Sequence, residues 1–191
     1  MKSTTHRLDR FISQNSGVKL SDVRLLLAQK RILVDGQIAQ SIQQKITQFT
    51  QVMLDGQCLQ NNQAAYVLLV SATQDSQHTT VLDLIEHPQK SELHIVGRLD
   101  LNTTGLVLLT NDGAWSRQVS LPQTRLVKTY DVQLAQPVGA QYAAVFAQGI
   151  YFAYENITTQ PAQLEILAAH RVRLSLVEGK YHQVKRMFGY F

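Results

Sequence analysis

The chain has 191 residues, 45% of them hydrophobic and 17% charged, with a formal net charge of +4. That length can bury a real core and accommodates one large domain, or a small domain followed by a medium one. A single cysteine, Cys58, excludes an internal disulfide and points to a reducing compartment. The start, MKSTTHRLDR, has no apolar signal core, and the longest apolar run, at 66–70, is too short to span a bilayer. A soluble, cytoplasmic protein is expected.

Leu8, Phe11 and Ile12 recur at i, i+3, i+4, the buried stripe of a short helix that Gly17 ends. Ser21 is the expected N-cap of a second helix carrying Val23, Leu26 and Leu27. Ile32-Leu33-Val34 then meets Asp35-Gly36, a hairpin turn whose two positions tolerate positive φ, and Asp55-Gly56 repeats the signal. These elements predict a compact unit over residues 1–60, with the polar stretch Gln60-Asn61-Asn62-Gln63 as the linker. Over 61–191, strands are expected at 65–71, 93–98, 105–110, 126–134, 162–168 and 171–177, and helices at 80–86, 113–119, 139–148 and 182–189. The alternation predicts an α+β fold with a mixed, mainly antiparallel sheet and flanking helices.

Charge is unevenly placed. Residues 1–31 hold Lys2, Arg7, Arg10, Lys19, Arg24, Lys30 and Arg31 against Asp9 and Asp22, a net +5, and residues 171–191 are net +4. The intervening stretch is −5. Two basic ends suit a polyanion gripped at two places, although charge alone reads equally as solvated surface. The six histidines have no metal-ligand spacing, and one cysteine cannot build a zinc site. Phosphate-loop, dinucleotide and nucleophile-elbow motifs are missing, so a reaction without metal or cofactor is expected.

The informative segment is Gly97-Arg98-Leu99-Asp100-Leu101-Asn102-Thr103-Thr104-Gly105, a polar loop between two apolar strands. By residue chemistry alone, Asp100 either caps a turn or is a catalytic carboxylate held by rigid flanks. GRLDLNTTGLVLLTNDG, however, closely resembles the central motif of the RsuA family of pseudouridine synthases. Lys128-Thr129-Tyr130 resembles the family's second motif, and the run from Glu178 to Met187, EGKYHQVKRM, its third, in the family's order. The N-terminal unit resembles the alpha-L RNA-binding module that precedes many such catalytic domains.

The resemblance implies a site-specific isomerisation of uridine to pseudouridine, with Asp100 as the essential carboxylate and Tyr130 packed on the target base. Lys185 would supply the cation that keeps Asp100 charged, with Arg186 as the alternative. Arg98 would hold a phosphate or prop open the flipped site, and Arg7, Arg10, Lys19, Arg24, Lys30 and Arg31 would face phosphates. TTGLVLLT, Asp112-Gly113-Ala114-Trp115-Ser116 and KTY resemble the branch acting on 16S ribosomal RNA. A 23S enzyme and a non-catalytic ribosome-assembly factor are the alternatives. A monomer, working on RNA in an assembling small subunit, is expected.

Two departures from the family stand out. Tyr66-Val67-Leu68-Leu69 runs directly into Val70-Ser71-Ala72-Thr73, without the family's Asn-Lys-Pro-x-Gly loop. The chain ends at Phe191, inside the expected last helix and before further strands of the family's sheet.

Overall fold

In the computed structural model, which describes residues 5–71, 80–100 and 103–191, the chain forms two units. Lys2, residues 72–79 (including His78 and the site of the absent loop), and Leu101-Asn102 of the central motif lie outside the described residues. Among described residues the first unit comprises 5–71, 80–95 and 106–114, and the second the remainder.

The first unit begins with a two-residue strand, β1 (His6–Arg7), which leads into helix α1 (Leu8–Ser16). Leu8, Phe11 and Ile12 are buried as their spacing predicts, and Gly17 closes α1 with φ +73°, a left-handed cap that favours glycine. Helix α2 (Val23–Ala28) starts one residue later than expected. Asp22, not Ser21, is its N-cap, and the Ser21 hydroxyl donates to the Asp22 carboxylate (2.8 Å) instead of capping the helix. Residues 19–22 already turn, with the Asp22 amide bonded to the Lys19 carbonyl, so Ser21 lies within that turn.

Both Asp-Gly turns form with positive φ at each residue. They join β2 (Ile32–Val34) to β3 (Gln37–Ile38) and, past β4 (Lys45–Ile46), β5 (Val52–Leu54) to β6 (Gln57–Gln60). The sheet order is β3-β2-β5-β6, and β4 pairs antiparallel with β1. One face of this sheet and the two helices enclose Leu8, Ile12, Val23, Ile32, Ile46 and Val52, each no more than 1% exposed. A side chain of this size contributes roughly 1.5–3 kcal/mol when fully buried.

Strands β7 (Tyr66–Ser71), β8 (His94–Val96) and β9 (Gly105–Thr110), ordered β7-β9-β8, lie in the same unit except for Val96 and Gly105. The linker is pinned to this sheet. The Asn111 side chain accepts from the Ala65 amide (2.8 Å) and donates to the Gln63 carbonyl (2.9 Å), while the Thr110 hydroxyl donates to the Ala65 carbonyl (2.7 Å). The helix expected at 80–86 is a 3-10 turn, Val81–Leu84, closed by reciprocal bonds between Thr80 and Asp83. Helix α3 (Gly113–Ser120) follows β9.

The second unit is built on β10 (Lys128–Gln133), helix α4 (Gln141–Gln148), the hairpin β11 (Tyr151–Phe152) and β12 (Ile157–Thr158), β13 (Gln163–Ala168), β14 (Arg171–Leu176) and helix α5 (Gln183–Phe188). Strands β10, β14 and β13 form an antiparallel sheet with β14 central. Its inner face meets α4, α5 and the hairpin around Phe146, Phe152, Leu174, Leu176 and Met187. The β11–β12 hairpin was not expected from sequence; its strands are two residues each, too short to show a period of two.

Candidate active site

Three segments of the second unit meet at Asp100. Gly97, at φ +90°, turns the chain out of β8, and the Thr103 amide donates to the Asp100 carbonyl (3.0 Å). Strand β10 alternates half-buried Lys128, Tyr130 and Val132 with exposed Thr129, Asp131 and Gln133, so the pleat turns Tyr130 inward opposite Leu174. The loop 178–182 and helix α5 supply the third segment.

The Asp100 carboxylate lies between two nitrogen groups. Lys185 Nζ is 3.8 Å from Oδ2, and His182 Nε2 is 3.6 Å from Oδ1. About a third of the Asp100 side chain (32%) is accessible, so a substrate can reach it. The Tyr130 hydroxyl is pushed above its ordinary pKa, first by burial and then by the negative charge of Asp100. Tyr130 therefore stays neutral, and its hydroxyl feels the charge of Asp100.

What holds the third segment is a buried polar clamp. Glu178, 7% exposed, accepts from the Gln160 amide (2.9 Å) and from the Gln183 side-chain amide (2.8 Å), with Lys180 Nζ at 3.8 Å. Gln183, 3% exposed, in turn accepts from the Lys180 amide (2.8 Å). Buried polar groups demand partners, and this set fixes the turn that presents His182 and Lys185.

Of the expected site residues, the fold brings Lys185 to Asp100, and Tyr130 faces inward from β10. Arg186, the alternative cation, is directed elsewhere. It makes a bidentate pair with Glu155 at 2.6 Å for both bonds, and its guanidinium lies 3.7 Å over the Phe152 ring. One step along a helix turns a side chain by about 100°, so Lys185 and Arg186 cannot face the same carboxylate. Arg98 is exposed, two residues before Asp100.

In the first unit, Arg7 and Arg31, expected to face phosphates, are each paired with a carboxylate. Arg7 grips the buried Asp9 (2.6 and 3.2 Å), and Arg31 grips Asp55 with two 2.6 Å bonds. Fork-shaped guanidinium matches carboxylate geometry, and each pair uses two of the five donors while the side chains stay 43% and 45% exposed. Arg10, Lys19, Arg24 and Lys30 are exposed and take part in no ion pair among the described residues.

Sequence reasoning missed three residues here. His182 was legible in principle, three positions before Lys185 and hence on the same helical side. Glu178 and Gln183 lay inside the third motif, but nothing in the sequence marked them as buried supports of the site. Among the described residues, no group of three or more His, Cys, Asp or Glu side chains is placed to hold a metal, and no helix is long and apolar enough to cross a membrane.

Residues 56–190 match the family described as RNA pseudouridylate synthase. The ribosomal small subunit pseudouridine synthase A of Pseudomonas aeruginosa is 46% identical over 192 residues, covering 97% of this chain and 84% of that protein. Its namesake from Escherichia coli is 41% identical over 189 residues, covering 95% and 82%. A crystal structure of a pseudouridylate synthase superposes with a TM-score of 0.63 at 38% identity, covering 96% of this chain and 82% of that one.

Proposed function

Because the chain belongs to the RNA pseudouridylate synthase family, we propose that it isomerises one uridine of 16S ribosomal RNA, with Asp100 as its catalytic carboxylate. The observation that carries this reading is the Asp100 carboxylate set between Lys185 and His182. The 16S assignment is supported by the names of the relatives, each a small-subunit enzyme.

The target uridine leaves its stack, at a cost of a few kcal/mol, and enters the site. Asp100 starts cleavage of the bond from ribose C1′ to uracil N1, either by attacking the sugar or by removing a proton from it. The base turns and C5 bonds to C1′. The C5 hydrogen leaves as a proton and N1 gains one, so the product is an isomer and no electrons are exchanged. Lys185 keeps Asp100 ionised against the desolvation that a covering RNA imposes. The Tyr130 ring holds the uracil by stacking, and its neutral hydroxyl adds no second negative charge beside Asp100.

Residues 1–60 act as an alpha-L-type module and 61–191 as the catalytic domain. Arg10, Lys19, Arg24 and Lys30 neutralise phosphates and set position and salt dependence more than sequence choice. The protein works as a cytoplasmic monomer on RNA of the assembling small subunit.

The test is a nucleotide-resolution pseudouridine map of unmodified 16S and 23S RNA after incubation with the protein or with Asp100→Asn. One new 16S site that disappears in the variant is expected. A 23S site would redirect the substrate, and tight binding without any site would favour an assembly factor.

A further inference from the structure

We propose that His182 is a positioning residue that orients the Asp100 carboxylate, a role that rests on the reading of Asp100 as catalytic. A lysine alone holds one oxygen and leaves the carboxylate free to swivel about its last torsion, which is broad and roughly two-fold. Here each oxygen has its own partner, Lys185 Nζ on Oδ2 and His182 Nε2 on Oδ1. A nitrogen facing each oxygen at ion-pair range biases the plane of the carboxylate as well as its charge, which is what an attack or a proton transfer at a single ribose atom requires.

Three features of the surroundings hold the imidazole to this task. His182 has φ +48°, a left-handed conformation that is uncommon outside Gly, Asn and Asp. Strain of this kind persists only where neighbouring structure imposes it. The Tyr181 ring stacks on the imidazole at 3.9 Å and 21°, restricting its rotation. The next residue, Gln183, is locked by Glu178 and the Lys180 amide, and the His182 carbonyl accepts from the Arg186 amide (3.0 Å), tying the histidine to the first turn of α5. At 38% exposure the His182 side chain is not a core residue, so packing alone does not explain its placement.

Two variants separate orientation from structure. His182→Asn accepts the left-handed backbone but is too short to reach Asp100, whereas His182→Gln reaches it with an N–H donor. Single-turnover tritium release from 16S transcript carrying 5-³H-uridine reports the reaction, filter binding of the same transcript reports affinity, and thermal melting reports folding. The Asn variant is expected to react about tenfold slower, as for loss of one charge-assisted contact, with unchanged affinity and melting. The Gln variant should recover to within a few-fold of the wild type. An Asn variant as fast as the wild type, or a Gln variant as slow as the Asn variant, overturns the role of His182 alone. No tritium release from the wild type, or equal release from Asp100→Asn, overturns the catalytic reading of Asp100 and the role of His182 with it.

Discussion

Replacing Gln183 by Ala should disable the site from beneath. The substitution removes a hydrogen bond from the Gln183 amide to the buried Glu178 carboxylate (2.8 Å) and one accepted from the Lys180 backbone (2.8 Å). A bond to a charged group is worth about 1.5–3 kcal/mol and a neutral one about 1, so the loss is roughly 3 kcal/mol. Glu178 keeps the Gln160 amide and the more distant Lys180 ammonium, which limits the penalty for a stranded charge. Part of the cost can be relieved by local opening of residues 178–183, which would carry His182 and Lys185 away from Asp100. The expected outcome is therefore a fall in urea stability, followed by the fluorescence of the single tryptophan, Trp115 of the second unit, together with a reaction rate reduced beyond that of His182→Asn. Stability within about 0.5 kcal/mol of the wild type, with an unchanged rate, would refute the clamp.

Tyr130→Phe should retain a rate within a few-fold of the wild type, whereas Tyr130→Leu should lose about tenfold to a hundredfold, because base stacking on an aromatic ring is worth about 1–3 kcal/mol; single-turnover rates decide. Arg24→Ala should lower the slope of log affinity against log salt for RNA by about one, while Arg31→Ala, whose charge is already matched by Asp55, should change it little. Filter binding over a salt series checks both. The Asp9 carboxyl is held below its ordinary pKa, chiefly by Arg7. A carboxyl depressed in the folded state adds stability that is present above its unfolded pKa and lost as pH falls through the folded value. Arg7→Ala should therefore shift acid unfolding to higher pH, as followed by circular dichroism. A midpoint unchanged from the wild type would show that the Asp9 pair contributes nothing to acid stability.

Much of this protein is determined by local sequence. The Leu8-Phe11-Ile12 stripe, the cap at Gly17 and both Asp-Gly turns depend on near neighbours and backbone sterics, and each forms where the sequence puts it. The motif around Asp100 and those ending in Tyr130 and Lys185 were also visible in order along the chain. Tertiary structure decided which charges meet. Arg7 and Arg31 were expected at phosphates and Arg186 as the alternative partner of Asp100, and each pairs with a carboxylate whose position only the folded chain sets, at Asp9, Asp55 and Glu155. Arg186 and Lys185 are adjacent in sequence yet face different carboxylates, because a helix points successive residues in different directions. Glu178 and Gln183 look like ordinary polar positions until the fold buries them, and burial turns both side chains into the support on which Lys185 and His182 reach Asp100. Periodicity and turn chemistry are local and can be read from the chain, whereas electrostatic pairing and burial depend on distances between segments far apart in sequence.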